Sequence, residues 1–415
     1  MDSSVHQLVI VGGGSAGISV ATSLLKRKRD LRITIIDPVD VHYYQPGFTM
    51  VGGGVFRVEQ TSRSMGAVMP SKVNWIQAAV ESFDPASNSV TLDSGDTVTY
   101  ERMIVCPGLK MDWDAVEGLK ETLGKNGVTS NYLPDFAPYT WELVSNLKTG
   151  KAVFTQPPMP IKCAGAPQKA LYLSADQWHR SGHLRNIDIE FYNAGGVLFG
   201  VADYVPALQK YIDKYDVSLK FNHNLVKVDG ESKTAWFTRT DGDGSTETVS
   251  THFDMLHVCP PQCAPDFIKA SALADEGGWL DVDPKTLRHK NFDNIWGLGD
   301  VMNTPNAKTA AAVRKQAPVV AANLLEDIKE TGNLYGYDGY GACPLTVERG
   351  KIVLAEFRYG GKLAPTLPTW LLQGTRPTWL AWFLKKDIMP RLYWDGMLRG
   401  KETMVKPLPL SELED

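Results

Sequence analysis

The sequence predicts an α/β chain of two units with a C-terminal helical appendage, and three observations predict it. A strand, glycine turn, helix and strand open the chain; a second α/β run begins at Lys151-Ala152-Val153-Phe154; a cluster of Trp and Leu lies near the end. His6-Gln7-Leu8-Val9-Ile10-Val11 reads as a buried parallel strand, followed by Gly12-Gly13-Gly14-Ser15-Ala16-Gly17 and a helix over Ile18 to Lys28. Leu31 to Asp37 supplies the second strand of a βαβ unit. Residues 73–108 alternate in period two with turn signals at Asp84-Pro85 and Ser94-Gly95-Asp96, which predicts an antiparallel hairpin layer ending at Met103-Ile104-Val105. In the second run a helix is expected over Pro167 to Ser181, a strand over Ile187 to Tyr192, a glycine turn at Gly195-Gly196 and a β-rich stretch from Ser218 to Val258. From Asn294 the chain reads strand, Gly297-Leu298-Gly299-Asp300, then a helix from Lys308. The tail holds Cys343 in a Gly/Pro-flanked loop, a strand pair around Ile352 to Phe357, and Trp-rich helices. The organisation expected is a first dinucleotide-binding part over 1–115, a second unit over 116–290, a return segment over 291–334 and a C-terminal region over 335–415.

A length of 415 residues suits two or three domains, and 43% apolar with 22% charged residues excludes a disordered or collagen-like chain. Forty-three basic against 47 acidic residues leave a net charge of −4, so no basic stripe is available to track a nucleic-acid backbone. Five cysteines in a chain this long form no disulfide framework. Met1 to Ile10 run straight into a strand, with no basic and apolar leader pattern, and no uncharged apolar run approaches the roughly 18 residues a spanning helix needs.

Gly12-x-Gly14-x-x-Gly17 alone is a weak motif. Here it follows a strand, opens a helix and is answered by Asp37, the context in which a Rossmann-like fold binds a dinucleotide. Gly12 permits the tight turn, Gly14 lets backbone approach a pyrophosphate, Gly17 lets helix and strand pack, and the helix N-terminus with Ser15 and Ala16 faces the phosphates. Asp37 is placed to accept from ribose hydroxyls. Asn294-Ile295-Trp296-Gly297-Leu298-Gly299-Asp300 resembles the second flavin signature of reductases built from two dinucleotide domains, which implies Asp300 toward the ribityl chain; Val105-Cys106-Pro107-Gly108 is similar in position to the Ala-Thr-Gly turn of those enzymes. Together they point to FAD. The candidate cofactor contacts are Gly12, Gly14, Ser15, Ala16, Gly17, Asp37, Gln45, Val80, Gly299, Asp300 and Lys308. No metal is expected: Cys259-Pro260-Pro261-Gln262-Cys263 with His252 and His257 lacks a full ligand pattern.

The second βα turn, Ala194-Gly195-Gly196-Val197-Leu198-Phe199-Gly200, lacks the glycine spacing and puts bulky side chains where a pyrophosphate needs close backbone. NADH is therefore not expected to reduce the flavin. Cys163 follows Lys162 and precedes a helix, two features that favour a thiolate. The chain has no Cys-x-x-Cys pair of the thioredoxin-reductase kind, and Cys106, Cys259 and Cys263 read as structural.

Lys162-Cys163-Ala164-Gly165-Ala166-Pro167-Gln168-Lys169, Pro305-Asn306-Ala307-Lys308-Thr309, Tyr337-Asp338-Gly339-Tyr340-Gly341-Ala342-Cys343-Pro344-Leu345 and the stretch from Leu392-Tyr393-Trp394 to Gly400 resemble the sulfide:quinone oxidoreductases, of the type similar to the mitochondrial enzyme, within the flavoprotein disulfide-reductase-like superfamily. The resemblance implies that Cys163 and Cys343 face the flavin and are linked by one or more sulfurs when oxidised. It implies that sulfide attacks on the Cys343 side and leaves a persulfide, that the sulfur at Cys163 reduces FAD, and that a small thiol or other sulfur acceptor removes the outer sulfur. Lys308 is expected to place positive charge near the reduced flavin. A sulfide dehydrogenase donating to a cytochrome, an NADH:quinone dehydrogenase-like flavoprotein and a non-catalytic flavin scaffold are the alternatives.

Four of the eleven tryptophans lie between Trp370 and Trp394, and Lys385, Lys386, Arg391 and Arg399 flank them. By pattern alone the segment is a lid on the body or a helix lying in the headgroup layer. Because ubiquinone or another membrane quinone is lipid-soluble, the resemblance favours the second reading: a peripheral, monotopic protein on a membrane surface, expected at a bacterial inner membrane. A chain cut after Pro365 is then expected to keep its flavin. A homo-oligomer stays open.

Overall fold

In a computed structural model describing residues 6–413, strand β1 (His6–Val11) leads through the glycine turn into helix α1 (Ser15–Arg27) and strand β2 (Ile33–Ile36). The residues before His6, read above for a leader, lie outside the described part. Leu8, Val9, Ile10 and Val11 are buried, as strands covered on both faces must be. Gly12 has φ +106°, and a Cβ there would sit 2.5 Å from the Cys106 carbonyl oxygen; a Cβ on Gly17 would overlap the Gly12 carbonyl. Both glycines are thus fixed by the turn itself.

Strand β3 (Val73–Ile76) pairs parallel to β2, while β4 (Val80–Asp84), β5 (Ser89–Leu92) and the first half of β6 (Thr97–Val105) form an antiparallel meander. The expected hairpin layer over 73–108 is corrected in this respect. Period-two alternation does not separate an edge strand of a parallel sheet from a hairpin arm, and the sheet edge took Val73–Ile76. The long β6 bends from the meander into the parallel sheet beside β1, with Val11 opposite Val105.

The second unit has its own parallel sheet. Strands β7 (Val128–Thr129), β8 (Gly150–Gln156), β9 (Ile187–Asn193), β10 (Val217–Phe221) and, after an antiparallel sheet of β11 (His223–Asp229), β12 (Thr234–Thr240) and β13 (Thr246–His252), β14 (Met255–His257) build it in the order β7-β14-β8-β9-β10. Helix α2 (Ala166–Ser181) links β8 to β9, with Pro167 in its first turn, His179 and Arg180 in its last, and left-handed Gly182 as its stop. Helix α3 (Val205–Lys214) covers the next crossover.

Strand β15 (Ile295–Gly297) returns to the first sheet beside β6, and helix α4 (Ala310–Ile328) packs on α1. Its N-cap is Thr309, whose hydroxyl accepts from the Ala312 N–H at 3.1 Å, so Lys308 lies before the helix rather than at its start. A two-stranded ribbon, β16 (Gly341–Glu348) with β17 (Lys351–Phe357), then lies against α2. Cys343 is on β16, a correction to the expected loop: the ribbon leaves room for Pro344, and the apolar run around it packs into the second unit's core. The segment Trp370-Leu371-Leu372 is a turn, and helix begins only at α5 (Trp379–Phe383), continuing through wider turns to Gly396 and a tighter one over Met397–Arg399.

Candidate active site

Cys163 stands in the turn that enters α2, with φ +47°. Its N–H donates to the Lys308 carbonyl at 2.9 Å and its carbonyl accepts from Ala166 at 2.7 Å, so the segment after β15 holds this turn in place. Strand β16 brings Cys343 to it across 3.3 Å between sulfurs. The approach requires Gly165, where a Cβ would come within 2.6 Å of the Cys343 Sγ. Both thiols are free, and the gap exceeds the 2.03–2.05 Å of a disulfide bond.

The cation beside this pair is Lys169, one turn into α2, not Lys162. Lys169 is buried and donates to the Cys163 Sγ at 2.9 Å, whereas Lys162 donates to Gln45 Oε1 at 2.5 Å and lies over the Tyr132 ring. The Cys343 thiol and the Lys169 ammonium hold the Cys163 thiol far below its ordinary range despite burial, with a further contribution from Lys385. The Cys343 thiol is pushed up by its bond to the Cys163 thiolate, then by burial and that thiolate's charge. The pair is therefore a thiolate at Cys163 and a thiol at Cys343. Lys169 in turn has its ammonium strengthened by the two sulfurs against burial.

Lys385 corrects the expectation of a lipid-side cation. It is buried, donates to the Pro46 carbonyl at 2.8 Å, and its pKa is pushed down to about 7 by burial and by the charge of Lys169. Neither lysine was legible as a site residue. The one available signal was a lysine among buried apolar positions, at Lys169 inside Ala166 to Leu173.

The turn at α1 fits a flavin dinucleotide. Helix α1 has no side-chain cap at its N-terminus, and a Cβ built on Gly14 meets nothing within 4 Å, so the first-turn N–H groups face open space. Asp37 takes the Gly13 N–H at 2.6 Å and the Val39 N–H at 3.0 Å, and burial raises its pKa. Gly299 closes on Ala16, where a Cβ would lie 3.2 Å away. The Asp300 carboxylate has no hydrogen-bond donor among the described residues and is raised by burial, an acceptor set for hydroxyls. Val80 is buried in the first unit's core, and Gln45 is tied to Lys162. Lys308 is turned inward: its ammonium donates to the Asp300 and Met302 carbonyls at 2.8 and 2.6 Å, lies 4.2 Å from the Trp279 ring centre and is pushed down to about 8 by burial. It braces the Gly299-Asp300 turn. Ser15 Oγ meets the Tyr393 hydroxyl at 2.7 Å, which also bonds His42 at 2.6 Å, a contact from the C-terminal segment that the sequence did not announce.

In the second unit, the turn after β9 is filled by its own chain. Leu198 and Phe199 are buried, Asn193 accepts the Gly195 N–H and donates to the Val197 carbonyl, and Phe199 packs edge-on against Phe357. Cys106 and Cys259 are buried with thiols pushed up by burial. Among the described residues no His/Cys/Asp/Glu group has the arrangement of a metal site, and no helix is long and apolar enough to cross a membrane.

Residues 6–134 match the family described as pyridine nucleotide-disulphide oxidoreductase. The chain is 40% identical to the mitochondrial sulfide:quinone oxidoreductase of Dictyostelium discoideum, over 99% of this chain and 90% of that one. It is 38% identical to the mitochondrial sulfide:quinone oxidoreductase of Mus musculus, over 95% and 87%. The crystal structure of the sulfide:quinone oxidoreductase from Aquifex aeolicus superposes with a TM-score of 0.80 at 19% identity, covering 99% of this chain and 98% of that one.

Proposed function

The chain belongs to the sulfide:quinone oxidoreductase family, and from that membership we propose that Cys163 and Cys343 are the redox pair at which it oxidises sulfide. It is an FAD-dependent enzyme that passes the electrons of sulfide to quinone. The observation that carries the assignment of the pair is the 3.3 Å contact between two cysteines far apart in sequence, one of them stabilised as thiolate by a buried lysine.

The asymmetry of the pair sets the direction of attack. In an oxidised bridge the sulfur with the lower pKa is the better leaving group, so hydrosulfide bonds to the Cys343 sulfur and the electron pair leaves on Cys163. Lys169 receives that charge at 2.9 Å. A second sulfur nucleophile, a small thiolate or another hydrosulfide, then takes the outer sulfur from Cys343 and leaves a second thiolate there. The two thiolates surrender two electrons as their sulfur–sulfur bond reforms, which returns the pair to its starting state. FAD, when bound, supplies the two-electron acceptor that quinone reoxidises. Gly12, Gly14, Gly17, Ser15 and Ala16 at the α1 turn, with Asp37, Gly299 and Asp300, would hold it, and Gln45, Val80 and Lys308 would shape the surrounding wall.

We read residues 1–115 and 291–334 as one Rossmann-like FAD-binding domain and 116–290 as a second that has lost its nucleotide site, since Leu198 and Phe199 fill the turn. The region 335–415 brings Cys343 and the membrane face. Trp370 is 83% exposed, Trp379 is 65% exposed and stacks on Phe383, and Leu371 and Leu392 are exposed with them. Such a patch suits the headgroup layer, from which a lipid-soluble quinone is reached. The relatives carry mitochondrial names, so the reading is a peripheral association with a quinone-bearing membrane, without the bacterial compartment.

Anaerobic mixing with sulfide, followed by a short-chain quinone, tests the proposal. Sulfide is expected to bleach the flavin and quinone to restore it, while NADH leaves it oxidised. Cys163→Ser and Cys343→Ser are expected to abolish turnover, with Cys106→Ser, Cys259→Ser and Cys263→Ser retaining most of it. Turnover in either of the first two variants would remove the pair from the reaction.

A further inference from the structure

We propose that the groove between residues 57–68 and the C-terminal turns is a clamp for the phosphate of an anionic phospholipid headgroup. The proposal rests on the membrane reading above and adds to it a defined ligand site. The groove encloses about 580 Å³ and is walled by Arg57, Arg63, Lys386, Arg391, Arg399 and Trp394. Glu59 and Asp395 also face it, so its lining carries an excess of three positive charges on a chain whose net charge is −4.

The arginines of the groove are not spent on carboxylates. Lys386 pairs with Asp387 at 3.0 Å, but among the described residues none of the four arginines has an acidic partner within ion-pair distance. Arg399 donates to the Ala67 carbonyl, and Arg63 donates to the Ser62 carbonyl while its guanidinium lies 4.8 Å over the Trp394 ring. These contacts orient the guanidinium groups and leave their charge uncompensated. The Trp394 indole N–H is enclosed and has no acceptor among the described residues.

A neutral quinone gives such a lining nothing to neutralise, and hydrosulfide reacts at the cysteine pair. A phosphodiester fits: planar guanidinium forks bind its oxygens in pairs. Placement identifies the phosphate as a lipid's. Exposed Trp379 stacks on Phe383, and the chain runs directly on from them into Lys386, Pro390 and Trp394, which line the groove. A lipid whose acyl chains meet the two aromatic rings therefore brings its headgroup to the arginines.

Flotation of the flavin-loaded protein with vesicles of phosphatidylcholine, alone or mixed with phosphatidylglycerol, tests this. Wild-type protein is expected to float with both and more tightly with the anionic ones. Arg391→Gln, whose side chain has no partner among the described residues to lose, is expected to weaken anionic binding roughly five-fold, and Arg63→Gln with it by roughly 25-fold, at about one surface charge's worth each. Binding to pure phosphatidylcholine, whose choline charge offsets its phosphate, should change by less than about two-fold in either variant. Lys125→Gln with Lys210→Gln, an equal loss of charge outside the groove, should leave both unchanged. Equal flotation of wild type with the two vesicles overturns the clamp and leaves the membrane reading standing; flotation with neither overturns both. A loss as large in the Lys125/Lys210 control reduces the effect to net charge, and release by inorganic phosphate at constant ionic strength makes the groove a free-phosphate site; either result overturns the proposal.

Discussion

The Lys169 ammonium lies 2.9 Å from the Cys163 sulfur, on the same helix entrance and largely out of water. Two consequences follow from one contact. The Cys343 thiol's hydrogen bond and then the lysine's charge favour the thiolate at Cys163, and the two sulfurs keep the lysine charged against its burial. Removing one member of such a pair strands the other.

Lys169→Met is accordingly expected to slow flavin reduction by sulfide by roughly 10- to 1,000-fold, since an opposite charge at this range shifts a pKa by about 1–3 units. Flavin content should be unaffected, because Lys169 lies with the cysteines and not at the α1 turn. The reading specific to the thiolate is the pH profile of Cys163 alkylation, which should move to higher pH. An unmoved profile would make Lys169 a packing residue only.

Gly14 allows a sharper test of cofactor binding than its neighbours. A side chain on Gly12 or Gly17 would strike backbone and break the turn itself, but a Cβ on Gly14 meets nothing in the protein. Gly14→Val should therefore fold with a melting temperature near that of flavin-free wild type and emerge colourless, because only the pyrophosphate is obstructed. A yellow Gly14→Val protein would place the phosphates elsewhere.

What the sequence disclosed follows from how local each feature is. The glycine turn, Asp37 and Gly299-Asp300 are short patterns beside strands, and these are legible because backbone geometry imposes them. Cys163 and Cys343 are separated by most of the chain, and only family resemblance joined them; the close approach through Gly165 has no local signature. Lys169 and Lys385 were missed for a physical reason. A lysine at the end of a Trp/Leu run reads as solvated, and its burial depends on which distant carbonyl and thiolate the fold delivers. Cys343 was misplaced because Gly341 and Pro344 signal a loop, whereas a two-stranded ribbon accommodates both.

Lys385 makes the reaction pH-dependent in a stated direction. Its folded pKa, pushed down to about 7, means it is charged below pH 7 and neutral above. While charged it adds to the field that favours the Cys163 thiolate. Lys385→Met should therefore slow sulfide-dependent flavin reduction by up to about ten-fold at pH 6, about one pKa unit of interaction, and little at pH 8.5. The ratio of variant to wild type cancels the titration of sulfide itself. A ratio that does not change with pH would show that the Lys385 charge does not reach the cysteine pair.

The C-terminal segment is built into the body as well as facing outward, and this revises the expectation for a chain cut after Pro365. Leu372, Tyr393, Met397 and Leu398 are buried, Tyr393 bonds Ser15 and His42 beside the α1 turn, and Glu402 takes Arg27 and Ser23. At about 1.5–3 kcal/mol for each large apolar side chain, removing four sacrifices about 6–12 kcal/mol, comparable with the roughly 5–15 kcal/mol that holds a whole domain folded. The cut protein is expected to be insoluble or flavin-free. Trp370→Ser with Trp379→Ser and Phe383→Ser separates the two roles, because these side chains are exposed and contribute little to the core. That triple variant should melt within a few degrees of wild type, keep its flavin and be reduced by sulfide at the wild-type rate. It should lose most of its flotation with phosphatidylcholine vesicles and its turnover with a long-chain quinone supplied in them. Retention of both would assign the exposed aromatic face to something other than a membrane.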